Sequence, residues 1–482
     1  MKLKDLLRGV AVLETSVDLE INMESVVYDS RKATKGCLFV AITGFATDGN
    51  RFIPMALEKG AAAVVTAKKP EGDIPYVLVS SDRLALAQIS ANFFSHPAEA
   101  MTLIGVTGTN GKTSSTLLLK QVLEATVGAK VGLIGTMENL IGNTVIPTER
   151  TTPESYDLQA LFARMRDAGC THVIMEVSSH AIALERVGGV RFDVAAFTNL
   201  TEDHLDFHKT MENYCDTKAI LFSRCGKAVL NRDDAWFDRI AGQASCDLLT
   251  TSAKNEADLF ARDVQLHSDG ISFTAVRAGE QVQIALPIPG KFTVYNALTV
   301  LGIASQLGIS LSDAGKALAN AKGVRGRVEV VPTPGKDFTV LIDYAHTPDG
   351  LENVLSSVRG FCKGRLIAVF GCGGDRDPIK RPIMGKIGVS LADISVITSD
   401  NPRSEEPMAI IGDILKGITD TDKEYIVIEN RKKAVAYAMD IAQKNDIIVL
   451  AGKGHETYQE ICGVKHHLDE REVVAEHLME MR

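Results

Sequence analysis

The segment MTLIGVTGTNGKT, residues 101–113, shows which class of fold this chain of 482 residues adopts. It begins with the apolar run of a buried strand, turns through GTNGKT, and leads into the helical pattern SSTLLLKQVLEATV. Glycines in such a turn let backbone N–H groups approach phosphate oxygens, and the helix N-terminus adds positive potential. Lys112 can then reach the β- and γ-phosphates of a nucleotide, and the Thr113 hydroxyl can bind Mg²⁺. The segment therefore predicts an α/β domain with a phosphate-binding loop (P-loop).

The loop is a shortened variant of the general P-loop pattern, which places a glycine where this chain has Val106. A glycine-rich turn without a ligand is the simpler interpretation of such a segment. The GKT sequence between a strand and a helix favours the nucleotide site.

Polar residues follow two later apolar strands of the same region. Glu176 lies at the end of THVIMEV, and Asn199 and His204 follow FDVAAF. Ligands of open parallel sheets collect beyond the carboxyl ends of the strands, so these residues are expected beside the phosphates. Glu176 suits a hard cation, and His204 suits a second Mg²⁺ or the role of general base. The alternative for HLDFH is a solvated, acid-rich loop.

Alternating strand and helix patterns along the chain predict three α/β domains in series. The predicted domains are residues 1–97, a central P-loop domain at 98–328 with a mainly parallel sheet, and a Rossmann-like domain at 329–482. VRGRVEVVP, residues 324–332, reads as the linker that leads into the third domain.

Composition excludes several classes of protein. Hydrophobic residues make up 45% and charged residues 23% of the chain, and the net charge is −9. This charge argues against a nucleic-acid or anionic-membrane surface. The sequence has no apolar run long enough to span a membrane and no leader-like N-terminus. Its eight scattered cysteines include no CxxC pair, which indicates reduced thiols in a cytoplasm.

Several further motifs, taken with the P-loop, carry a resemblance that covers essentially the whole chain. Their order and spacing resemble the Mur ligases of bacterial peptidoglycan synthesis, and among them the ligases that add the third residue of the peptide. The motifs are YDSR (28–31), TGTNGKT (107–113), EVSSH (176–180), TNLTEDHLDFH (198–208), YNA (295–297), GRVE (326–329), DYAHTPD (343–349), GCGGDRD (371–377), DNPRSEEP (400–407) and GKGHE (452–456).

The resemblance implies an ADP-forming ligase that uses ATP as co-substrate and Mg²⁺ as cofactor. In such enzymes, ATP phosphorylates the side-chain carboxylate of D-glutamate in UDP-MurNAc-L-Ala-D-Glu. The amine of the incoming amino acid then attacks the acyl phosphate, which releases phosphate. The resemblance further implies a cytoplasmic monomer whose partners are small molecules, with no nucleic acid and no membrane insertion, and with a role in cell shape and division.

The resemblance also assigns the nucleotide and metal site. Lys218, which the sequence alone would place on an exposed helix face, matches a lysine that these enzymes carbamylate with CO₂ so that it can hold Mg²⁺. The implied catalytic residues are Lys112, Glu176, His204 and Lys218; the metal ligands are Thr113, Glu176, His204 and carbamylated Lys218; and the ATP-binding residues are Gly108, Thr109, Asn110, Gly111, Lys112, Thr113, Ser114, Asn296, Arg327 and Asp343.

Contacts with the UDP-sugar dipeptide fall in the first two domains. The family often has a polar residue at the position of Leu184, so that contact is left out. The implied contacts are Ser30, Phe45, Ala46, Thr47, Thr151, Thr152, Ser178 and Arg186.

The third domain is expected to choose the amino acid. Meso-2,6-diaminopimelate differs from lysine by one extra carboxylate, and arginine recognises a carboxylate through two parallel hydrogen bonds. Relatives that add lysine typically lack the arginine of DNPR, so the motif favours diaminopimelate over a helix-capping turn with an exposed arginine. The implied contacts are Arg376, Asp400, Asn401, Pro402, Arg403, Gly452 and Glu456.

Other functions remain as alternatives to this interpretation. The same ligation with L-lysine is one, and a folylpolyglutamate synthase-like ligase is another, although it would not explain YDSR or DNPR. A nucleotide-dependent switch is the non-enzymatic alternative. A dinucleotide fingerprint at GCGGDR is unlikely, since that motif needs glycine at the position of Arg376.

Overall fold

The protein was examined as a computed structural model that describes residues 1–44, 47–148, 150–267, 269–419 and 422–481. The chain forms two compact units. The first comprises Met1–Thr251 with Gly302–Gly308, and the second comprises Ser252–Leu301 with Ile309–Arg482. Both are built from α/β layers with mainly parallel sheets, which confirms the predicted fold class.

The first unit begins with a five-stranded sheet of order β1-β5-β4-β3-β2, parallel except for β1. Successive residues of β3 pack on opposite faces, so both faces of the sheet are covered. The strands are β1 (Val12–Thr15), β2 (Ser25–Val27), β3 (Cys37–Val40), β4 (Ala63–Thr66) and β5 (Tyr76–Val79), and the helices are α1 (Leu3–Leu6), α2 (Ile53–Glu58) and α3 (Asp82–Phe93).

The rest of the first unit is a larger sheet whose strands run in the order β13-β12-β11-β6-β10-β7-β8-β9. The strands from β13 to β7 are parallel, and β8 and β9 add an antiparallel edge. The elements are β6 (Thr102–Thr107), α4 (Lys112–Val127), β7 (Val131–Ile134), β8 (Asn139–Ile141), β9 (Thr144–Ile146), α5 (Ser155–Asp167), β10 (His172–Glu176), α6 (Ser179–Ala183), β11 (Phe192–Phe197), α7 (Leu205–His208), α8 (Met211–Ala219), β12 (Cys225–Asn231), α9 (Phe237–Ala241) and β13 (Asp247–Ser252).

Strand register brings three chain segments to one edge of this sheet. Glu176 at the end of β10 pairs with Val106 of β6, and Phe197 at the end of β11 pairs with Thr107. The P-loop, the residues after Glu176 and the segment after Phe197 therefore leave the sheet side by side. This is the carboxyl edge at which open parallel sheets bind ligands.

The second unit begins with an antiparallel arrangement of β14, β15 and β16, against which α11 packs. Helix α10 starts in this unit, and its residues 302–306 belong to the first. The elements are β14 (Leu259–His267), β15 (Gly270–Arg277), β16 (Glu280–Leu286), α10 (Lys291–Gln306) and α11 (Leu311–Ala319).

The remainder of the second unit is a doubly wound sheet of order β17-β18-β22-β19-β20-β21. Apolar residues of α12, α13 and α14 cover one face, and those of α15 and α16 cover the other. The elements are β17 (Glu329–Val331), β18 (Thr339–Asp343), α12 (Pro348–Arg359), β19 (Leu366–Phe370), α13 (Lys380–Leu391), β20 (Ile394–Ile397), α14 (Pro407–Leu415), β21 (Glu424–Val427), α15 (Arg431–Asp440), β22 (Ile447–Ala451), β23 (Tyr458–Ile461), β24 (Val464–His467) and α16 (Glu470–Glu480).

The segment expected to be a linker is partly a strand. Residues 329–331 form β17, which pairs antiparallel with β18 at the edge of the sheet. Among the described residues, none of the helices has the length and apolar character needed to cross a bilayer.

Candidate functional site

Glycines shape the P-loop through close backbone approaches. Gly108 has a φ of +146°, and a Cβ at this position would lie 1.9 Å from Thr198 Oγ1. Gly111, with a φ of +84°, is the last residue before α4. Any larger residue at Gly108 would push the loop away from the 198–201 segment. The glycines therefore let the loop lie close to its neighbouring strand.

The 198–201 segment holds the P-loop from the side. The Thr109 N–H donates to Asn199 O at 2.8 Å, and the Asn110 N–H donates to Asn199 Oδ1 at 2.9 Å. Lys112 Nζ donates to the carbonyls of Gly108 at 2.9 Å and Thr109 at 2.8 Å. The lysine thus lies along the loop and is held by its carbonyls.

Thr113 and Glu176, two of the expected metal ligands, are in direct contact. Thr113 Oγ1 donates to Glu176 Oε1 at 3.0 Å, and both residues are buried. Thr136 fixes the carboxylate from the other side, since its N–H donates to Oε1 at 2.9 Å and its hydroxyl to Oε2 at 3.0 Å. This arrangement gives a rigid carboxylate beside the first turn of α4.

Lys218 is buried against the P-loop, and not exposed as the sequence alone suggests. Only 1% of the residue is exposed, and Nζ donates to Gly108 O at 3.0 Å and lies 4.6 Å from the centroid of the Tyr214 ring. Burial, reinforced by the charge of Lys112, lowers the pKa of Lys218 well below its usual range. The amine is therefore much easier to deprotonate than an ordinary lysine.

His204 lies in a group of rings next to Lys218. Its φ is +55°, its side chain is 47% exposed, and Nε2 is 3.4 Å from Asp203 Oδ2. The ring centroid lies 4.8 Å from that of His180 and 6.3 Å from that of Tyr214. The Tyr214 hydroxyl is 3.3 Å from Thr109 Oγ1. Tyr214 therefore connects the ring group to both the P-loop and Lys218.

Three residues expected to contact the substrate lie close together at the carboxyl end of β10. Thr152 Oγ1 donates to Glu176 O at 2.8 Å, and the Ser178 N–H donates to Thr152 Oγ1 at 3.2 Å. Arg186 Nη1 donates to Thr152 O at 3.3 Å, and its Nε lies 3.4 Å from Glu154 Oε2. Buried Glu154 also attracts Arg83 of α3, at 3.4 Å. The cluster holds more positive than negative charge, which suits an anionic substrate.

The other expected contacts in the first unit are more dispersed. Thr151 Oγ1 lies 3.0 Å from Thr136 Oγ1, which joins it to the Glu176 group. Ser30 is buried, with its hydroxyl 3.5 Å from Met55 Sδ, and Thr47 is exposed. Phe45 and Ala46 lie outside the described residues. Ser114 is a partly buried residue in the first turn of α4.

Three expected nucleotide contacts belong to the second unit. Asn296 is buried on α10. Asp343 ends β18, and its oxygens accept from the N–H groups of Val328 and Ala345, each at 2.8 Å. Burial raises the pKa of Asp343. The Arg327 guanidinium lies 5.1 Å from the centroid of the Tyr344 ring. Asp343 thus anchors the chain beside Arg327.

Arg403 lies between the GCGGDRD loop and the β23–β24 hairpin. Its φ is +53°, its Nη1 donates to Gly374 O at 2.6 Å, and its Nε is 3.5 Å from Glu460 Oε2. A Cβ on Gly374 would lie 1.9 Å from Pro402 O, and one on Gly373 would lie 2.9 Å from Arg403 Nη1. The two glycines therefore let the loop close against the DNPR turn.

Asp400 is buried below the DNPR turn. Its Oδ1 accepts from the Asn401 N–H at 2.7 Å, and its Oδ2 lies 3.6 Å from Nη1 of fully buried Arg431. A Cβ on Gly452, whose φ is +117°, would lie 2.5 Å from Asp400 Oδ2. Burial raises the pKa of Asp400, but the charges of Lys453 and Arg431 outweigh burial and the net shift is downward. Asp400 is therefore ionised.

Asn401 and Glu456, from separate motifs, are in contact. Asn401 Nδ2 donates to Glu456 Oε2 at 2.9 Å, and Asn401 Oδ1 accepts from the Glu460 N–H at 2.9 Å. Arg376 is exposed in the GCGGDRD loop, and its Nη1 is 3.5 Å from Asp375 O. The structure thus gathers Asn401, Glu456 and Arg403 at the β23–β24 hairpin.

Sequence reasoning missed four residues that organise these groups: Thr136, Glu154, Tyr214 and Lys453. Lys453 was visible as the lysine of GKGHE, and Tyr214 lies four residues before Lys218 on α8. Thr136 directly follows the β7 strand signal and a glycine. Glu154 had no signal beyond its place two residues after Thr152.

In the ranges that the structure describes, no group of three or more His, Cys, Asp or Glu side chains has a geometry that could hold a metal ion. The expected ligand set includes a threonine and a modified lysine, so it is not a group of that kind.

Three family profiles match in series. The profile described as "Mur ligase family, catalytic domain" matches residues 22–101, the Mur ligase middle domain matches residues 106–304, and "Mur ligase, glutamate ligase domain" matches residues 326–454.

Known proteins resemble the chain over its full length. It is 47% identical over 488 residues to the UDP-N-acetylmuramoyl-L-alanyl-D-glutamate–2,6-diaminopimelate ligase of Clostridium tetani, with 100% of both chains covered. A solved structure of a ligase of the same name has a TM-score of 0.76 at 30% identity and covers 100% of this chain and 99% of that one. The MurF ligase of Thermotoga maritima in complex with ADP has a TM-score of 0.61 at 20% identity, with 95% and 96% covered.

Proposed function

The chain belongs to the Mur ligase family, and we propose that it adds meso-2,6-diaminopimelate to UDP-N-acetylmuramoyl-L-alanyl-D-glutamate in peptidoglycan synthesis. The reaction consumes ATP and forms ADP. The D-glutamate side-chain carboxylate takes the γ-phosphoryl group, and the amine of diaminopimelate displaces phosphate from the acyl phosphate. The protein acts in the cytoplasm as a monomer, and its partners are these small molecules.

The observation that carries the choice of amino acid is the position of Arg403 beside Glu460. The Glu460 N–H also binds Asn401, the partner of Glu456. Diaminopimelate presents two carboxylates and two ammonium groups. The Arg403 guanidinium suits its distal carboxylate, and the Glu456 carboxylate suits an ammonium group. Lysine would leave Arg403 without that partner. The 47% identity to the C. tetani ligase over the full length supports the same choice.

Thr113 and Glu176 fit a Mg²⁺ ion. Their oxygens lie 3.0 Å apart at the start of α4, and hydroxyl and carboxylate oxygens are ligands that Mg²⁺ prefers. His204 and carbamylated Lys218 complete the proposed ligand set. When bound, Mg²⁺ neutralises charge on the phosphates and on the developing acyl phosphate.

Lys218 is proposed to carry a carbamate. Its neutral Nζ attacks the carbon of CO₂ and loses a proton, which leaves a carboxylate-like group on the side chain. Two observations support this: the lowered pKa of Lys218 makes the neutral amine accessible, and its burial against Gly108 O protects the product from water.

Lys112 and the loop N–H groups are proposed to stabilise charge on the transferred phosphoryl group. Thr152, Ser178 and Arg186 hold the dipeptide end of the substrate, since they gather beside the Glu176 backbone. The other substrate contacts proposed are Ser30, Phe45, Ala46, Thr47 and Thr151; Asn296, Arg327 and Asp343 contact the nucleotide; and Arg376, Asp400, Pro402 and Gly452 line the diaminopimelate pocket.

We also propose that the domains are residues 1–97, 98–328 and 329–482. The separate sheets of residues 12–79 and 329–451, and the separate family profiles, support these boundaries.

The test is ADP release by the purified protein with ATP, Mg²⁺, UDP-MurNAc-L-Ala-D-Glu and one amino acid at a time. We expect release only when both the UDP-dipeptide and diaminopimelate are present. Release without either would favour a nucleotide switch. Release with a folate and glutamate would favour a folylpolyglutamate synthase.

A further inference from the structure

The GKGHE motif contains a lysine with an unusual environment. Lys453 is 0% exposed. Its Nζ donates to Asn401 Oδ1 and to Glu456 Oε2, each at 3.0 Å, and lies 5.7 Å from the centroid of the Tyr458 ring. An ammonium group is seldom removed from water unless it is paired and hydrogen-bonded. Here both conditions are met by residues from two separate motifs.

The hydrogen bonds of Lys453 fix the orientation of its two partners. Because Asn401 Oδ1 accepts from Lys453, Asn401 Nδ2 is turned toward Glu456, to which it donates at 2.9 Å. Glu456 Oε2 therefore accepts from both Lys453 and Asn401. Oε1 of Glu456 accepts no hydrogen bond from the described part of the chain, and 14% of the side chain is exposed. The carboxylate thus keeps one oxygen for a ligand.

Lys453 is poorly placed to contact the amino acid directly. The ammonium lies behind Glu456 and is inaccessible, and the proposed substrate already brings two ammonium groups of its own. A positive charge in contact with them would repel them. Placed behind the carboxylate, the same charge holds Glu456 in place by a charge-assisted hydrogen bond.

We infer that Lys453 is a positioning residue for amino-acid binding: it aligns Asn401 and Glu456 so that Glu456 Oε1 receives an ammonium group of diaminopimelate. This inference rests on the proposed function. It assigns to Lys453 an effect on diaminopimelate binding that acts through Glu456 and leaves ATP binding unaltered.

The first experiment compares Lys453→Met with the parent by ADP release. Loss of a hydrogen bond to a charged group predicts a rise of roughly 10- to 100-fold in KM for diaminopimelate. KM for ATP should stay within about twofold, which also reports that the variant is folded. The matched control is Lys465→Met, since Lys465 is exposed and lies 4.1 Å from the same Tyr458 ring. It should behave as the parent.

A double-mutant cycle separates positioning from a general structural role. If Lys453 acts through Glu456, adding Lys453→Met to Glu456→Gln should raise KM for diaminopimelate little further than Glu456→Gln alone. A general loss of structure would multiply the two effects and would also raise KM for ATP. Should Lys453→Met not fold, Lys453→Gln, which keeps a donor without the charge, takes its place with the same expectation.

Two results would overturn the inference: an unchanged KM for diaminopimelate in Lys453→Met, or effects that multiply in the cycle. Both results apply when the parent protein is first shown to use diaminopimelate. A parent that does not use it would contradict the proposed function itself, so the two failures are distinguishable.

Discussion

Three lysines of this protein lie in three different surroundings. Lys112 is partly exposed and lies along the P-loop carbonyls. Lys218 is buried beside it with a lowered pKa, and Lys453 is buried between Asn401 and Glu456. These different surroundings support the three roles proposed for them: a phosphate ligand, a modifiable amine and a positioning cation.

Replacing Lys112 with alanine should abolish turnover and leave the fold intact. The proposed partner of the Lys112 charge is a phosphate. Removing the lysine should therefore destabilise the transition state far more than it destabilises the folded protein. ADP release and a thermal melt measure the two effects. Lys130→Ala is the control, because exposed Lys130 also donates to a carbonyl, Ala168 O at 2.6 Å, and lies directly before β7 at the other edge of the sheet. Normal activity in Lys112→Ala would refute the phosphate-loop assignment.

Lys218→Ala should be nearly inactive, and short carboxylic acids added to the assay should restore part of its rate. Lys218→Glu, which supplies a carboxylate at shorter reach, should recover some activity without them. The control Lys120→Ala removes a comparably buried lysine that pairs with Glu124 at 2.6 Å. Full activity of Lys218→Ala would show that no carbamate is needed there.

Arg403→Ala should raise KM for diaminopimelate steeply. We expect bound diaminopimelate to bury its distal carboxylate against Arg403, and removing one partner of such a pair costs about 2–5 kcal/mol, or roughly 30- to several-thousand-fold in apparent affinity. KM for ATP, measured in the same preparation, should stay nearly unchanged. If the variant keeps the parent's KM for diaminopimelate, Arg403 does not determine the choice of amino acid. The assignment as a ligase would be unaffected.

At the level of secondary-structure elements, the sequence predicted most of what positions the site. The strand–loop–helix signal at residues 101–127 corresponds to β6, the P-loop and α4. The antiparallel strands β14, β15 and β16 were not predicted. They pair as neighbours in sequence, since Arg277 at the end of β15 pairs with Glu280 at the start of β16. The mostly exposed or half-buried residues of β14 and β16 give weak periodicity, and the register of β14 shifts between Arg262 and Gln265. The three residues of β17 are too few to show a periodicity, and it was read as linker.

The GCGGDRD loop shows what glycine spacing alone leaves undetermined. Its glycines resemble part of a dinucleotide fingerprint, but in the structure they provide space. Cβ atoms at Gly371 and Gly374 would lie 2.1 Å from Thr398 O and 1.9 Å from Pro402 O. The loop therefore packs backbone against backbone on the segment that carries Asp400 and Arg403. The periodicity of the sequence does not predict this contact between backbones.

Gly374→Ala should push the GCGGDRD loop away from the DNPR turn. Overpacking of this kind costs about 1–3 kcal/mol, so we expect a lower melting temperature together with a raised KM for diaminopimelate. Gly412→Ala is the control, since a Cβ there meets nothing within 4 Å and alanine favours a helix such as α14. It should melt at or above the parent temperature. Parent-like stability and KM in Gly374→Ala would contradict the packing argument.

For the molecule as a whole, the order of motifs along the chain was more informative than any single one. Lys218 and Asp343 are ordinary residues when taken alone, and their proposed roles came only from the resemblance to the Mur ligases. Their buried contacts with Gly108 O and with the Val328 N–H are now visible. Lys453 went unnoticed because its two partners, Asn401 and Glu456, meet only in the folded chain.

The choice of amino acid can be read from one competition experiment. The parent protein is given ATP, Mg²⁺, UDP-MurNAc-L-Ala-D-Glu and equimolar diaminopimelate and lysine, and the UDP-linked product is identified by mass. We expect the diaminopimelate adduct to dominate by the same roughly 30-fold or greater factor that the pairing of Arg403 supplies. Equal amounts of the two adducts, or a lysine adduct in excess, would contradict the assignment of this chain as a diaminopimelate-adding ligase.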